Sequence, residues 1–164
     1  MRNECVFSPD RRHRYTLIHR WDELLSASSD GGRGIAWIAL NPSTADENQL
    51  DPTLRRIRDF SITWGYDYFV MLNAFAWRDT DPAAMKASPD PVGPDNDRWI
   101  RHWAERLDRV VVAWGEHGAF RERDREIVRL LDPRKTVCLA RNASGQPKHP
   151  LYVAKKTAPV PFAW

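Results

Sequence analysis

Four short segments of this 164-residue sequence carry side chains suited to holding a neutral, amide-rich ligand that bears phosphate. They are Asn41-Pro42-Ser43-Thr44, Asn73 with Arg78 after it, Trp114-Gly115-Glu116-His117, and Arg141-Asn142 followed by Lys148-His149-Pro150-Leu151-Tyr152. An Asn amide offers one carbonyl and one NH2, and a neutral His one donor and one acceptor. Arg, Lys, Ser and Thr are suited to phosphate oxygens. The set has no acidic pair of the glycosidase kind, no Gly-rich phosphate loop and no Ser or Cys elbow. His13, His19 and His102 show no metal spacing, and no metal or cofactor is expected.

Each residue also has a plainer use. Asn41 before Pro42 is a turn initiator. Asn73 sits in an apolar run, where its amide has to find a partner, and a neighbouring loop backbone would serve. His149 is one of five His. Trp114 reads more readily as core than as a stacking platform. Glu116 and His117 read as the exposed start of a helix.

The elements that position these segments alternate. Residues 34–40 (GIAWIAL) form a continuous apolar run, as expected of a strand buried on both faces. Asp51 as N-cap and Pro52 as first residue open a helix that carries Leu54, Ile57, Ser61 and Trp64 on one face and stops at Gly65. Residues 68–76 (YFVMLNAFA) make a second strand, and a proline-rich loop follows. A helix over 96–107 has Trp99, Trp103 and Leu107 at i, i+4, i+8, flanked by Ile100. A strand at 109–114 (RVVVAW), a helix at 117–131 and a strand at 136–140 (TVCLA) complete the rhythm. Before it, residues 14–21 (RYTLIHRW) alternate like a short edge strand, and 26–34 is a loop. The expectation is a single α/β domain over 1–164: an N-terminal extension at 1–33, a core at 34–152 and an irregular tail at 153–164. Its architecture is a three-layer sandwich around a four-stranded, mainly parallel sheet. Ligands in such folds bind beyond the carboxyl ends of the strands, where the four segments stand.

Composition agrees with a globular protein. Hydrophobic residues make up 42% and charged residues 29%, which excludes disorder. No apolar run approaches a membrane span, and residues 1–15 lack the apolar core of a secretory signal. The two cysteines, Cys5 and Cys138, cannot make a disulfide framework or a structural zinc site. A cytoplasmic setting is therefore expected. Of the 25 cations 20 are Arg, which suits phosphate and ring contacts, although most are expected on solvated helix faces. The net charge is only +3.

In order along the chain, ALNPS (39–43), DPTLRRI (51–57), MLNAFAWR (71–78), VVVAWG (110–115) and KHPLY (148–152) resemble landmarks of the uracil-DNA glycosylase superfamily. The wording NPSTAD, DPTLRR, DPVGPDND and HPLY also resembles a bacterial and phage domain family of unknown function, number 1643. Ala39 stands where the superfamily's first motif has Gly, and the last motif lacks its first Ser. The cysteines do not match the iron–sulfur branch. No aromatic obvious for stacking on the base precedes the first helix, and Leu50 or Trp77 is the substitute.

The glycosylase resemblance implies roles. Asn41 would position water against the sugar, and His149 would donate to a carbonyl oxygen of the departing base. Asn73 would hold the Watson–Crick edge, in a pocket walled by Leu40 and Trp114. Ser43, Thr44, Arg141 and Lys148 would meet phosphates, and Leu151 would wedge into the duplex. The implied activity is hydrolysis of the N-glycosidic bond of a deaminated or modified base in single- or double-stranded DNA. Two alternatives stay open: a module that binds a base or nucleotide without cleaving it, and an enzyme acting on free nucleosides or nucleotides.

Overall fold

The computed structural model describes residues 3–21 and 31–164. Among them, seven strands join in one sheet: β1 (Glu4–Phe7), β2 (Arg14–Arg20), β3 (Gly34–Ala39), β4 (Tyr68–Asn73), β5 (Val110–Val112), β6 (Thr136–Cys138) and β7 (Val160–Pro161). Four helices accompany them, α1 (Pro52–Thr63), α2 (Pro82–Ala87), α3 (Asn96–Arg106) and α4 (Arg123–Val128), with 3-10 turns at Glu116–Glu122 and Pro150–Tyr152. The strand order is β1-β2-β4-β3-β5-β6-β7. β4, β3, β5 and β6 run parallel, while β1–β2, β2–β4 and β6–β7 are antiparallel pairs. The sheet is mixed and wider than the four-plus-one strands expected.

Every residue of β3 is buried because both of its faces are covered. Ile35, Trp37 and Ala39 pack with Leu54, Ile57 and Phe60 of α1. Ala36 and Ile38 pack with Ile100 and Ala104 of α3 and Ile127 of α4. Alternate residues thus serve opposite layers, as the pleat requires. The polar Ser61 fits this apolar face of α1 because its hydroxyl donates to Ile57 O and accepts from Trp37 Nε1, at 2.7 and 3.1 Å.

From β3 the chain crosses through α1 to β4 on one side. From β4 it crosses through α2 and α3 to β5 on the other side of β3. The direction of winding switches at β3, and a crevice opens at the carboxyl ends of the parallel strands. β2 is antiparallel to β4, so its first residue, Arg14, lies at that same end.

Several boundaries differ from expectation. Residues 14–20 are an inner strand rather than an edge strand. β1 covers them, pairing Cys5 with Leu17 after a tight turn in which Arg11 takes a φ of 60°. Residues 4–20 therefore contribute two strands to the sheet where one edge strand was expected. Of the loop read at 26–34, residues 26–30 lie outside the described residues. The proline-rich loop contains α2, opened by Asp81 as N-cap and Pro82.

On α3 the buried face is Asn96, Ile100 and Ala104, followed by Leu107, while Trp99 and Trp103 are only half-buried. A polar Asn leads this stripe because its amide is bonded in the interior, and a hydropathy pattern hides that. The helix expected over 117–131 is two pieces. Arg121 and Glu122 have φ of 54° and 56°, which breaks the helix and turns Arg123 inward. The tail is anchored by β7 and by Phe162, which is 1% exposed beside Trp114.

Candidate functional site

A cleft of about 780 Å³ lies at the carboxyl ends of β4, β3 and β5. That volume is within the ordinary range for small-molecule sites. Leu40, Asn41, Ser43, Asn73, Trp114, Lys148, His149 and Leu151 line it. Thr44 and Arg141 do not. The Arg141 guanidinium donates to Ala163 O at 2.6 Å and lies over the Phe162 ring, which ties it to the C-terminal segment. Leu50 and Trp77 are also absent from the lining, and Trp77 packs edge-on against His13.

Asn73 is the last residue of β4 and is 2% exposed. Its backbone carbonyl accepts from Asn96 Nδ2 at 2.9 Å, and that same amide reaches Ala74 O at 3.3 Å. Asn96 thus pins the strand end from the helix layer behind it. The Asn73 side chain faces the cleft, and its Oδ1 lies 3.5 Å from Arg14 Nη2. This contact turns the carbonyl toward Arg14 and leaves the NH2 to donate elsewhere.

Asn41 begins the loop after β3. Its Nδ2 donates to Asp79 O at 2.8 Å, with longer contacts to Pro42 O and Trp77 O. Asp79 N returns a bond to Pro42 O at 3.0 Å. These bonds lace together the loops after β3 and β4. They fix the Asn41 amide with Oδ1 as its free acceptor, an orientation that can hold a water but cannot take its proton.

His149 caps the 3-10 turn Pro150–Tyr152, with Nδ1 accepting from Leu151 N at 3.2 Å. An accepting Nδ1 places the proton of the neutral ring on Nε2. Burial holds the imidazole below its ordinary pKa, and Asp51 offsets this only in part. His149 is thus a neutral Nε2–H donor. Its loop is clamped by Gly115 N to Pro147 O and Lys148 N to Ala140 O, both 2.9 Å. Gly115 makes the turn at a φ of 69°. Three residues further on, Gly118 must be Gly, since a Cβ there would run into the Trp114 ring.

Trp114 is a wall rather than a platform. It is 1% exposed, and its Nε1 donates to Gln146 Oε1 at 2.9 Å. At the rim the exposed apolar surface comes from Leu151, 44% exposed, and Tyr152, 78% exposed, whose ring lies 5.6 Å from that of His149.

Sequence reasoning missed several lining residues. Arg14, 1% exposed, is one of them, and the only signal for it was a cation at the first position of a strand. Tyr152, named within its segment but given no role, is a ring beside a singled-out His. Asp51 and Asp79 also line the cleft, as does Glu116, which was read as the exposed start of a helix. Each has a local bond: Asp51 with Leu54 N, Asp79 with Asp81 N, Glu116 with the Ser144 hydroxyl. Among the described residues no cluster of three or more His, Cys, Asp or Glu is arranged to hold a metal.

The model of one family, described as protein of unknown function (DUF1643), matches residues 14–151. The chain belongs to the DUF1643 family. The matched stretch runs from Arg14 to Leu151, so it reaches from β2 into the second 3-10 turn and includes most of the cleft's lining. No curated protein and no solved structure matches this DUF1643 chain. Among the described residues no helix is long and apolar enough to cross a membrane.

Proposed function

We propose that this chain is a nucleobase-recognising hydrolase of the uracil-DNA glycosylase kind, which cleaves the N-glycosidic bond of a deaminated or modified base. The observation that carries this reading is the meeting of Asn41, Asn73 and His149 in one cleft, with His149 held as an Nε2–H donor. Helices on both faces of a sheet whose middle strands are parallel also support the three-layer arrangement of that superfamily.

In this reading the Asn73 NH2 donates to an acceptor on the base edge, deep at the strand end. The bond from C1′ to the base breaks with negative charge developing on the base. A preformed neutral donor, His149 Nε2–H, stabilises that charge without losing a proton of its own. Asn41 Oδ1 orients the water that adds to C1′. The water's proton passes to solvent or to a neighbouring carboxylate, since an amide cannot accept it. Lys148 and Ser43 meet the DNA backbone at the rim. Leu151 and Tyr152 supply the apolar lip that replaces stacking lost when a base leaves the helix.

The test is an assay with end-labelled single- and double-stranded oligonucleotides carrying uracil, hypoxanthine, mismatched thymine or modified pyrimidines. Abasic sites and free base appear with the wild type and are lost with Asn41→Ala and His149→Ala. Cleavage unaffected by either change would contradict the assignment. A second reading, a module that binds a base or nucleotide without cleaving it, is favoured by one observation: the Asn41 NH2 is already spent on loop carbonyls. Binding without release of any base, lost on Asn73→Ala, would establish that reading instead.

A further inference from the structure

Two arginines, Arg14 and Arg123, are each 1% exposed, and their surroundings are opposite. Arg123 is fully engaged. Its Nε donates to Ala74 O, and its two Nη groups meet Glu126 and Asp97. Two carboxylates neutralise the buried charge, which is how structural buried ions are ordinarily held. Arg14 has neither feature. One Nη donates to Ala45 O at 3.0 Å, and the other makes only the 3.5 Å contact with Asn73 Oδ1. Its Nε has no partner. Among the described residues no carboxylate forms an ion pair with it.

The guanidinium keeps its charge there. Burial pushes its pKa down to about 10, still well above neutrality. Asp51 and Asp46 attract it from beyond contact, while Arg78 adds charge of the same sign. A role confined to holding the 45 loop would use the Ala45 bond alone and would gain nothing from a full positive charge in the interior. The charge also borders the cleft, next to the one side chain best placed to read a base. Two neighbouring groups are donors as well, the Asn73 NH2 and His149 Nε2–H, while the lining carboxylates of Asp51, Asp79 and Glu116 are each held by a local bond away from Arg14. A guanidinium with free N–H groups is matched best by anionic oxygens.

We propose that Arg14 is the anion-binding group of this cleft, and that the ligand brings an anionic oxygen, carboxylate or phosphate, to the floor beside Asn73. The ligand class is then a nucleobase or nucleotide carrying such a group within reach of the base site, bound more tightly than the plain neutral base. This rests on the cleft being a nucleobase site, and it adds a demand that the glycosylase-like reading does not make. DNA backbone phosphates fall to the rim residues, because Arg14 lies beneath the strand ends.

The experiment measures affinities of the purified chain for matched pairs: uracil against uracil-6-carboxylate, and uridine against uridine monophosphate, with inorganic phosphate alone as a third arm. The anionic member of at least one pair binds the wild type roughly tenfold tighter or more. Preference within the first pair assigns the anion to a substituent on the base, and preference within the second assigns it to phosphate. Arg14→Gln brings the ratio to about one, and Arg14→Lys recovers part of it. To keep the test independent of how variants at a buried arginine fold, the wild type also carries it by NMR: the Arg14 Nε–H signal shifts when the anionic member binds. Equal affinities within both pairs, or a bound anion that leaves that signal unmoved, overturns the role of Arg14 and leaves the base site standing. Binding of inorganic phosphate at Arg14 with no base or nucleoside bound supports Arg14 and contradicts the nucleobase reading. Failure of every probe, neutral or charged, overturns both.

Discussion

At the scale of single residues, Asn73 and His149 carry the functional reading, and both were legible as polar groups at strand ends. Their partners were not. That Asn73 Oδ1 faces Arg14, and that His149 Nδ1 accepts from Leu151 N, are contacts that no spacing encodes. Asn73→Ala removes the cleft's amide while leaving the backbone carbonyl that Asn96 holds. It is expected to abolish base binding and to cost about 1–2 kcal/mol of stability, read from urea unfolding beside a binding titration. Collapse of the fold would make Asn73 a core residue instead.

The histidines predict a pH dependence. Folding holds His149 below its ordinary value, and burial holds His19 down to about 4, where its Nδ1 meets Asn3 Oδ1 at 2.7 Å. The unfolded chain therefore binds these protons more readily than the folded one. Their contribution to stability is intact above about pH 6.5 and is lost as the pH falls toward 4. Urea midpoints between pH 8 and pH 4 should be flat at first and then decline. His19→Phe should flatten the lower part of that decline. A midpoint that rises on acidification to pH 5 would contradict the assignment.

At the scale of elements, the alternation of apolar runs and amphipathic segments was enough to find β2 through β6 and helices α1 and α3. It was not enough where a few residues decide. β1 and β7 are too short to show a period, and the break before α4 rests on two left-handed residues, Arg121 and Glu122, whose types do not announce it. α1 is the best-specified element. Asp51 accepts from Leu54 N at 2.9 Å, and Pro52 takes the first position. Asp51 also lines the cleft, so its two uses can be separated. Asp51→Ala should lower stability by about 1 kcal/mol, and Asp51→Asn, which keeps the cap, by much less. Thermal unfolding of the pair checks this. If the Asn variant loses as much as the Ala variant, the carboxylate's charge near Arg14 matters more than the cap.

At the scale of the whole molecule, the sheet gathers segments from positions 14, 39–43, 73, 114–117 and 142–152 onto one edge. The alternation of strands and helices made this edge legible. The entry of β2 into it was hidden, because nothing in residues 14–20 says that the strand runs opposite to its neighbour. The net charge of +3 is modest for the nucleic-acid partner proposed. Rim cations such as Lys148 must then supply most of any phosphate contact. Lys148→Ala should lower the slope of log affinity against log salt for an oligonucleotide by about 0.7–0.9. An unchanged slope would remove Lys148 from the interface.

What most needs to be seen is a base in the cleft. Side-chain NMR signals of the Asn73 NH2 and of His149 Nε2–H should be followed while uracil, hypoxanthine and their nucleosides or nucleotides are added to the wild-type protein. Both signals should shift together and saturate at the same ligand concentration, with His149 remaining in the Nε2–H form. Saturable binding that moves neither signal would contradict the base site proposed here.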